Sequence, residues 1–297
     1  MPACGPVRLV FAGTGAFSVP TLRQLHESGH ELALVVTQPD RPAGRGLRLR
    51  SSPVKEAAVG LALDLFQPSR VRDQDAVERI QAAQPAALVV AAYGQILPID
   101  LLALAPLGAI NVHASLLPRH RGPAPIPWTI LLGDSRAGVS IMKMDAGIDT
   151  GPLLKQESLA LQGDETAPLL ESRLAALGAG LLLSTLDELA SGSAQPEPQP
   201  TTGATYARRL SAADGDLDQD LAAADIDRRV RALSGDPGCW ITLGKARVKV
   251  LEGSLSSAPQ GAPGQALHTR DGTYLIRTVQ PAGGRPMPVE DYLRGRR

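Results

Sequence analysis

The chain has 297 residues, of which 43% are apolar and only 3% aromatic, and its 30 Lys and Arg residues balance its 30 Asp and Glu residues. This length allows two domains of ordinary size, whose cores must be filled mainly by Ala, Leu, Val and Ile. With Cys4 and Cys239 as its two cysteines, the chain has neither a disulfide framework nor a C-x-x-C site, and the missing leader and membrane-length apolar run predict a cytoplasmic protein that is not embedded in a membrane.

The first elements predict a strand, a tight turn and a helix. Residues 7–12 are apolar and β-branched, Gly13-Thr14-Gly15 follows, and residues 16–28 carry apolar side chains at helical spacing. The turn resembles the opening of a dinucleotide-binding fingerprint, but Ser18 stands where the third glycine belongs. The second strand also ends in Thr37-Gln38-Pro39 rather than in an acidic residue. We therefore do not expect NAD binding.

Further strands alternate with helices over the next part of the chain, which predicts parallel βαβ units in a Rossmann-like α/β domain spanning residues 1–190. The predicted strands are residues 32–37, 87–92, 109–112, 139–144 and 153–157, and the predicted helices are residues 52–59, 73–83 and 166–190. Residues 191–207 are rich in Pro, Ser, Gly and Thr, which predicts a linker. Residues 208–297 contain one helical stretch and several short alternating runs, which favour a smaller, β-rich barrel or sandwich domain.

A basic segment, residues 38–55, follows the second strand. It carries Arg41, Arg45, Arg48, Arg50 and Lys55 against one acid. A long loop of this kind suits a mobile clamp on phosphate groups, and a merely solvated loop is the alternative.

The densest set of polar residues lies at the end of the strand near residue 110. Asn111 and His113 are two residues apart, so their side chains share one face of the strand at the carboxyl end, where open parallel sheets bind ligands. An amide donor beside an imidazole can stabilise an oxyanion and move a proton during acyl transfer. A structural histidine is the alternative.

Two loops extend this set. Residues 115–118, Ser-Leu-Leu-Pro, offer backbone groups and apolar side chains to a flat heterocycle. Farther along, glycines bracket Asp149, whose carboxylate can orient His113. Asp145 and Asp149 could instead bind a metal, but no second acidic or histidine cluster has suitable spacing, so no metal is expected.

Five segments, in this order, resemble the methionyl-tRNA formyltransferase family: FAGTGAFSVPTL, TQPDRPAGRGLRL, VVAAYGQILP, INVHASLLPRHRGPAPI and MDAGIDTG. The resemblance spans nearly the whole chain. It implies formyl transfer from 10-formyltetrahydrofolate to methionine on initiator tRNA, without a metal. The sequence does not reveal the oligomeric state, and a monomer is the default expectation. The second domain is then a barrel resembling the oligonucleotide-binding type (OB-like).

The resemblance also implies roles for individual residues. Asn111, His113 and Asp149 are then catalytic. The folate contacts are then Ser115, Leu116, Leu117 and Pro118, with Ala92, Tyr93 and Gly94. The tRNA contacts are then Arg41, Arg45, Arg48 and Arg50.

The sequence departs from the family pattern at a few positions, which bear on folate and tRNA packing: Gly15, Pro127, Gln219 and residues 234–237. Two rival functions stay open. The first is a formyltransferase that acts on a sugar nucleotide, against which the basic segment argues. The second is a formylfolate hydrolase or a non-catalytic folate or RNA binder, against which the intact Asn, His and Asp set argues.

Overall fold

The computed structural model describes residues 5–43, 48–255 and 264–295. These residues form two compact units. The first unit is drawn from Met1–Pro123, Ala137–Leu159 and Glu171–Tyr206, and the second from Ala124–Arg136, Ala160–Leu170 and Ala207–Arg297.

A seven-stranded sheet organises the first unit, in the order β5-β2-β1-β6-β7-β8-β9. The strands in chain order are β1 (Arg8–Gly13), β2 (Glu31–Val36), β3 (Arg41–Ala43), β4 (Arg48–Arg50), β5 (Leu65–Phe66), β6 (Ala87–Ala91), β7 (Ala109–His113), β8 (Arg136–Lys143) and β9 (Leu153–Ala160). Pairing is parallel from β5 through β7, and β8 runs antiparallel to β7. The central strands are buried along nearly their whole length, which explains their continuous apolar runs.

The helices up to residue 191 are α1 (Ser18–Glu27), α2 (Pro53–Gly60), α3 (Gln74–Ala82), α4 (Ile99–Leu102), α5 (Pro125–Leu131) and α6 (Ala167–Ser191), of which α5 belongs to the second unit. Helix α2 begins at an N-cap, Ser52, whose hydroxyl accepts a hydrogen bond from the Lys55 amide at 3.0 Å. Among the described helices, α6 alone is long and apolar enough to cross a membrane, and half of its most apolar stretch is buried within the protein. Its apolar surface is thus at least partly explained by packing in the fold.

A curled antiparallel sheet dominates the second unit, in the order β10-β11-β13-β12 with β14 also paired to β13. Its elements are α7 (Ala223–Ala232), β10 (Cys239–Leu243), β11 (Ala246–Leu255), β12 (Gln265–His268), β13 (Thr273–Pro281), β14 (Met287–Pro288) and α8 (Val289–Arg294). Strand β11 changes register around Glu252, as expected where a long strand bends between two neighbours. The predicted fold class, a Rossmann-like domain with a smaller β-rich domain, is confirmed.

The basic segment differs from the expected loop. Its described ends form a two-stranded hairpin in which Arg41 pairs with Arg50. The short elements β5, α4 and α5 were not predicted either, because the two residues of β5 show no strand pattern and the four and seven residues of α4 and α5 span no more than about two helical turns.

Candidate active site

Strands β6 and β7 bring the polar set to one edge of the sheet. Val90 of β6 lies beside Asn111 of β7 in parallel register, so the turn that follows β6 starts next to His113. Asn111 is half-buried and His113 is only 6% exposed. The carboxyl ends of both strands therefore build the site, as the sheet type predicts.

Asp149 joins these two side chains. Its Oδ1 accepts a hydrogen bond from Asn111 Nδ2 at 3.3 Å, and its Oδ2 lies 3.6 Å from His113 Nδ1. The Gly122 amide donates to the same Oδ2 at 2.8 Å. Asp149 has a left-handed backbone with φ of 52°, which turns its carboxylate into the site. The structure thus brings together all three residues predicted to be catalytic.

The second ring nitrogen of His113 has a different partner. Nε2 lies 2.9 Å from the backbone carbonyl of His120, within the buried part of the loop. A carbonyl oxygen can only accept, so Nε2 carries a proton and Nδ1 is the position that gains or loses one. Because Nδ1 faces Asp149, the ring can exchange a proton on the side where the carboxylate lies.

The loop of residues 115–118 is anchored from beneath by a fully buried serine on β8. Ser140 Oγ donates to the Ser115 carbonyl at 2.6 Å and accepts from the Leu117 amide at 3.0 Å. Gln156 Nε2 donates to Ser140 Oγ at 2.7 Å and to the Leu117 carbonyl at 2.9 Å. Sequence analysis missed both anchors, although a serine within the apolar run of β8 was a usable signal.

The predicted folate-contacting side chains are unequally available. Leu117 is 3% exposed, Ser115 is 2% exposed, and Pro118 is half-buried. Leu116 lies against Gly138, where an added Cβ would come within 2.5 Å of its side chain. Leu116 and Pro118 are both half-buried, so they are the more accessible side chains of this loop, and Ser115 and Leu117 are not available to a ligand.

The turn after β6 exposes backbone rather than its aromatic ring. Ala92 and Gly94 are exposed and have positive φ, whereas Tyr93 is 2% exposed and packs in the core. Burial raises the pKa of Tyr93 to about 12, so its hydroxyl stays protonated at neutral pH. The Tyr93 carbonyl is held by Thr14 Oγ1 at 2.9 Å and Gln38 Nε2 at 2.7 Å. These bonds fix the turn beside His113.

The basic segment presents Arg41 and Arg50 as exposed cations. Arg45 lies outside the described residues, and only the backbone of Arg48 is described. Lys55 pairs with Asp40 at 2.7 Å, so among the described side chains of this segment Arg41 and Arg50 are the exposed cations. Throughout residues 5–43, 48–255 and 264–295, no group of three or more His, Cys, Asp and Glu side chains is placed to hold a metal ion.

Comparison with known proteins relates both parts of the chain to formyl transferases. Residues 7–186 match the formyl transferase family model, and residues 209–297 match that of the formyl transferase C-terminal domain. Methionyl-tRNA formyltransferase of Halorhodospira halophila is 45% identical over 300 residues, covering 98% of this chain and 96% of the relative.

Solved structures share the fold at low identity. Methionyl-tRNA formyltransferase from Clostridium thermocellum superposes with a TM-score of 0.58 at 18% identity, covering 84% of this chain and 94% of its own. A sugar 3N-formyl transferase, solved in the presence of dTDP and 5-N-formyl-THF, gives a TM-score of 0.68 at 16% identity, covering 94% and 99%.

Proposed function

The chain belongs to the methionyl-tRNA formyltransferase family, and from this membership we propose that it transfers the formyl group of 10-formyltetrahydrofolate to the α-amino group of methionine on initiator tRNA. The observation that carries the proposal is the convergence of Asn111, His113 and Asp149 at the carboxyl ends of β6 and β7. An amide donor, an imidazole and a carboxylate are the groups that amide-forming acyl transfer needs.

The neutral amine attacks the formyl carbon, so that a new C–N bond forms and the bond from that carbon to the folate nitrogen breaks. Negative charge develops on the formyl oxygen, where the Asn111 amide donates a hydrogen bond. A proton leaves the attacking amine and one arrives at the departing nitrogen. His113 Nδ1, 3.6 Å from Asp149 Oδ2, is the group that relays it, while the His120 carbonyl fixes the ring from the other side.

Folate binding is supported by the two segments that flank His113. Exposed backbone at Ala92 and Gly94 lies beside the end of β7, and Pro118 closes the anchored loop on the other side. Backbone groups and one apolar ring suit a flat pterin, whose edge carries donors and acceptors. The sugar transferase that shares this fold was solved with a formylated tetrahydrofolate.

The remaining assignments concern the acceptor and the organisation of the chain. Arg41, Arg45, Arg48 and Arg50 contact the tRNA, for which the exposure of Arg41 and Arg50 on a hairpin is the structural support. The catalytic domain comprises residues 1–190, the linker residues 191–207 and the tRNA-binding domain residues 208–297. The enzyme works as a cytoplasmic monomer.

Formyl transfer to charged initiator tRNA tests the function, with uncharged tRNA as the blank. Wild-type protein should formylate the methionine, and Asp149→Asn and His113→Ala should lower kcat by about a hundredfold or more. Asp187→Asn is the matched control, because Asp187 also faces a histidine, His30, at 3.7 Å, but lies on α6 and is 71% exposed. It should retain wild-type activity.

A parallel assay with an amino-sugar nucleotide addresses the main rival. Formylation of that acceptor without formylation of charged tRNA would contradict the tRNA assignment. Release of formate with neither acceptor formylated would favour the hydrolase.

A further inference from the structure

The segment interpreted from sequence as a linker contacts the loop that carries Asp149. Gln199 Nε2 donates to the Asp149 carbonyl at 2.9 Å and to the Gly151 carbonyl at 2.8 Å. Its Oε1 accepts from Arg121 Nε at 3.0 Å and Nη2 at 2.7 Å. Both ends of this side-chain amide are therefore in use, and its orientation is fixed by the donor at one end and the acceptors at the other.

The same segment also contacts the loop that carries His120. Thr205 Oγ1 accepts a hydrogen bond from the His120 amide at 2.8 Å, and the Thr205 carbonyl accepts from the Arg121 amide at 2.9 Å. The Thr205 amide in turn donates to the Pro118 carbonyl at 3.3 Å. His120 is the residue whose carbonyl meets His113 Nε2. The Thr205 hydroxyl holds the amide side of His120, and the Thr205 carbonyl holds, through the Arg121 amide, the peptide that bears the His120 carbonyl.

We propose that Gln199 and Thr205 are positioning residues for formyl transfer, each fixing one of the two partners of His113. Gln199 holds the backbone of Asp149, whose carboxylate faces Nδ1 of His113. Thr205 holds His120, whose carbonyl faces Nε2 of His113. This inference rests on the proposed function for its catalytic readout. Neither residue touches the reacting atoms.

The Asp149 loop has internal hydrogen bonds at Asp145, which accepts from the Gly147 amide at 3.0 Å and from the Thr150 hydroxyl at 2.7 Å, but it has no regular secondary structure. Residues 144–152 form neither helix nor strand, and Asp149 has φ of 52°. A non-glycine residue in this region persists only where surrounding contacts hold it. The register of Gln199 is set by an isolated bridge in which Leu153 and Glu197 exchange backbone hydrogen bonds of 2.7 and 2.8 Å. This bridge therefore fixes the position of the Gln199 side-chain amide beside the Asp149 loop.

Variants at Gln199 test whether this residue positions Asp149. Gln199→Ala should lower kcat by about ten- to a hundredfold, because a displacement of about 1 Å at the reacting groups has an effect of this size. KM for tRNA and for the folate should stay within about twofold. Gln195→Ala, an exposed glutamine of the same segment, is the control and should behave as wild type.

Gln199→Glu separates positioning from packing. Glutamate keeps the shape and the acceptor for Arg121 but sets an anionic oxygen against the Asp149 and Gly151 carbonyls. If the donated bonds matter, Gln199→Glu must lose at least as much kcat as Gln199→Ala. A milder effect than that of alanine would show that the side chain only fills space.

Variants at Thr205 test whether its hydroxyl group positions His120. Thr205→Val keeps the volume and removes the acceptor, whereas Thr205→Ser keeps the oxygen and removes a methyl group. We expect valine to lower kcat by about tenfold or more and serine to restore at least half of wild-type activity. Thr202→Val, at an exposed threonine of the segment, is the control. Equal loss in Thr205→Val and Thr205→Ser would contradict the role of the hydroxyl.

A spectroscopic readout is independent of the reaction. In the NMR spectrum of protein labelled with ¹⁵N-histidine, the chain's 5 histidines give few signals. The His113 signals are identified because they disappear in His113→Ala. Gln199→Ala should shift the His113 Nδ1 resonance and Thr205→Val the Nε2 resonance, while both controls leave them in place. Unmoved resonances overturn the inference whatever the enzyme's acceptor. Shifted resonances in a protein that formylates no tRNA uphold the positioning and refute the proposed function.

Discussion

His113 has two partners of different kinds, and the difference determines what each ring nitrogen can do. The carbonyl of His120 accepts at 2.9 Å and so fixes a proton on Nε2, whereas the Asp149 carboxylate lies 3.6 Å from Nδ1, too far to hold a proton there by a hydrogen bond. The geometry thus keeps one nitrogen constant and leaves the other to change state during a reaction. A proton relay requires one ring nitrogen with a fixed proton and another that can take up and release a proton.

The three residues at the centre of the site could be predicted from sequence, and those that hold them could not. Asn111 and His113 stand out because polar side chains interrupt an apolar strand, and Asp149 because glycines bracket it. Gln199 lies 50 residues from Asp149 and Thr205 lies 85 residues from His120, in a segment without any period. Such contacts depend on tertiary folding, which local patterns do not encode.

The buried hydroxyl of Ser140 holds the loop of residues 115–118, so its removal should weaken both the fold and folate binding. Its buried hydroxyl serves the Ser115 carbonyl, the Leu117 amide and Gln156. Ser140→Ala leaves these groups without that partner, so we expect a loss of about 1–3 kcal/mol in the free energy of unfolding, seen as a lower urea midpoint. KM for the folate should rise because the loop loses its anchor. Ser184→Ala, at an exposed serine of α6, should change stability by less than about 0.5 kcal/mol; an equal change in both variants would contradict the argument.

At the scale of elements, α6 supports the site from behind the sheet. Gly178 is buried, and an added Cβ there would lie 2.8 Å from Val112 Cγ1 and 3.2 Å from Val139 Cγ1. Val112 is the residue between Asn111 and His113 on β7. A helix that approaches so closely fixes the strand that carries two of the three central residues.

Two glycines of α6 form a matched pair. Gly178→Ala should destabilise the protein by about 1–3 kcal/mol, because β-branched valines cannot move their methyl groups aside without shifting the strands. Its formyl transfer should fall as well. Gly180 is exposed with no atom within 4 Å of an added Cβ, so Gly180→Ala should stabilise by about 0.5–1 kcal/mol and leave activity unchanged. Thermal unfolding of both variants measures the difference, and equal shifts of one sign would refute the packing account.

Strands β1, β6 and β7 followed from sequence because each is a nearly continuous apolar run, and helix α6 because its Leu- and Ala-rich pattern extends over 25 residues. The basic segment was interpreted as a loop, yet its ends pair as the β3–β4 hairpin. Three-residue strands containing Pro42 and several arginines have no alternation that predicts pairing. Cross-strand hydrogen bonds, rather than intrinsic propensity, define that element.

At the scale of the whole molecule, charge is balanced, with 30 cationic and 30 acidic side chains. A neutral protein has no general attraction for nucleic acid, so affinity for tRNA must come from local groups of cations. Acidic side chains already neutralise some arginines, as Asp64 does for Arg79 at 2.8 Å. Exposed arginines on the hairpin differ in this respect, since Arg41 meets the amide oxygen of Gln38 rather than a carboxylate.

The salt dependence of tRNA binding tests this distribution. Log Kd should rise linearly with log salt concentration, and Arg50→Ala should lower that slope by about one, the equivalent of one lost phosphate contact. Arg79→Ala should leave the slope unchanged, because its ion pair with Asp64 keeps that cation occupied within the protein. A small sugar nucleotide carries too few phosphates to give a steep slope. Steep salt dependence that Arg50→Ala reduces would therefore place the phosphate contact on the hairpin, whereas identical slopes in the two variants would move the tRNA contact to another surface of the enzyme.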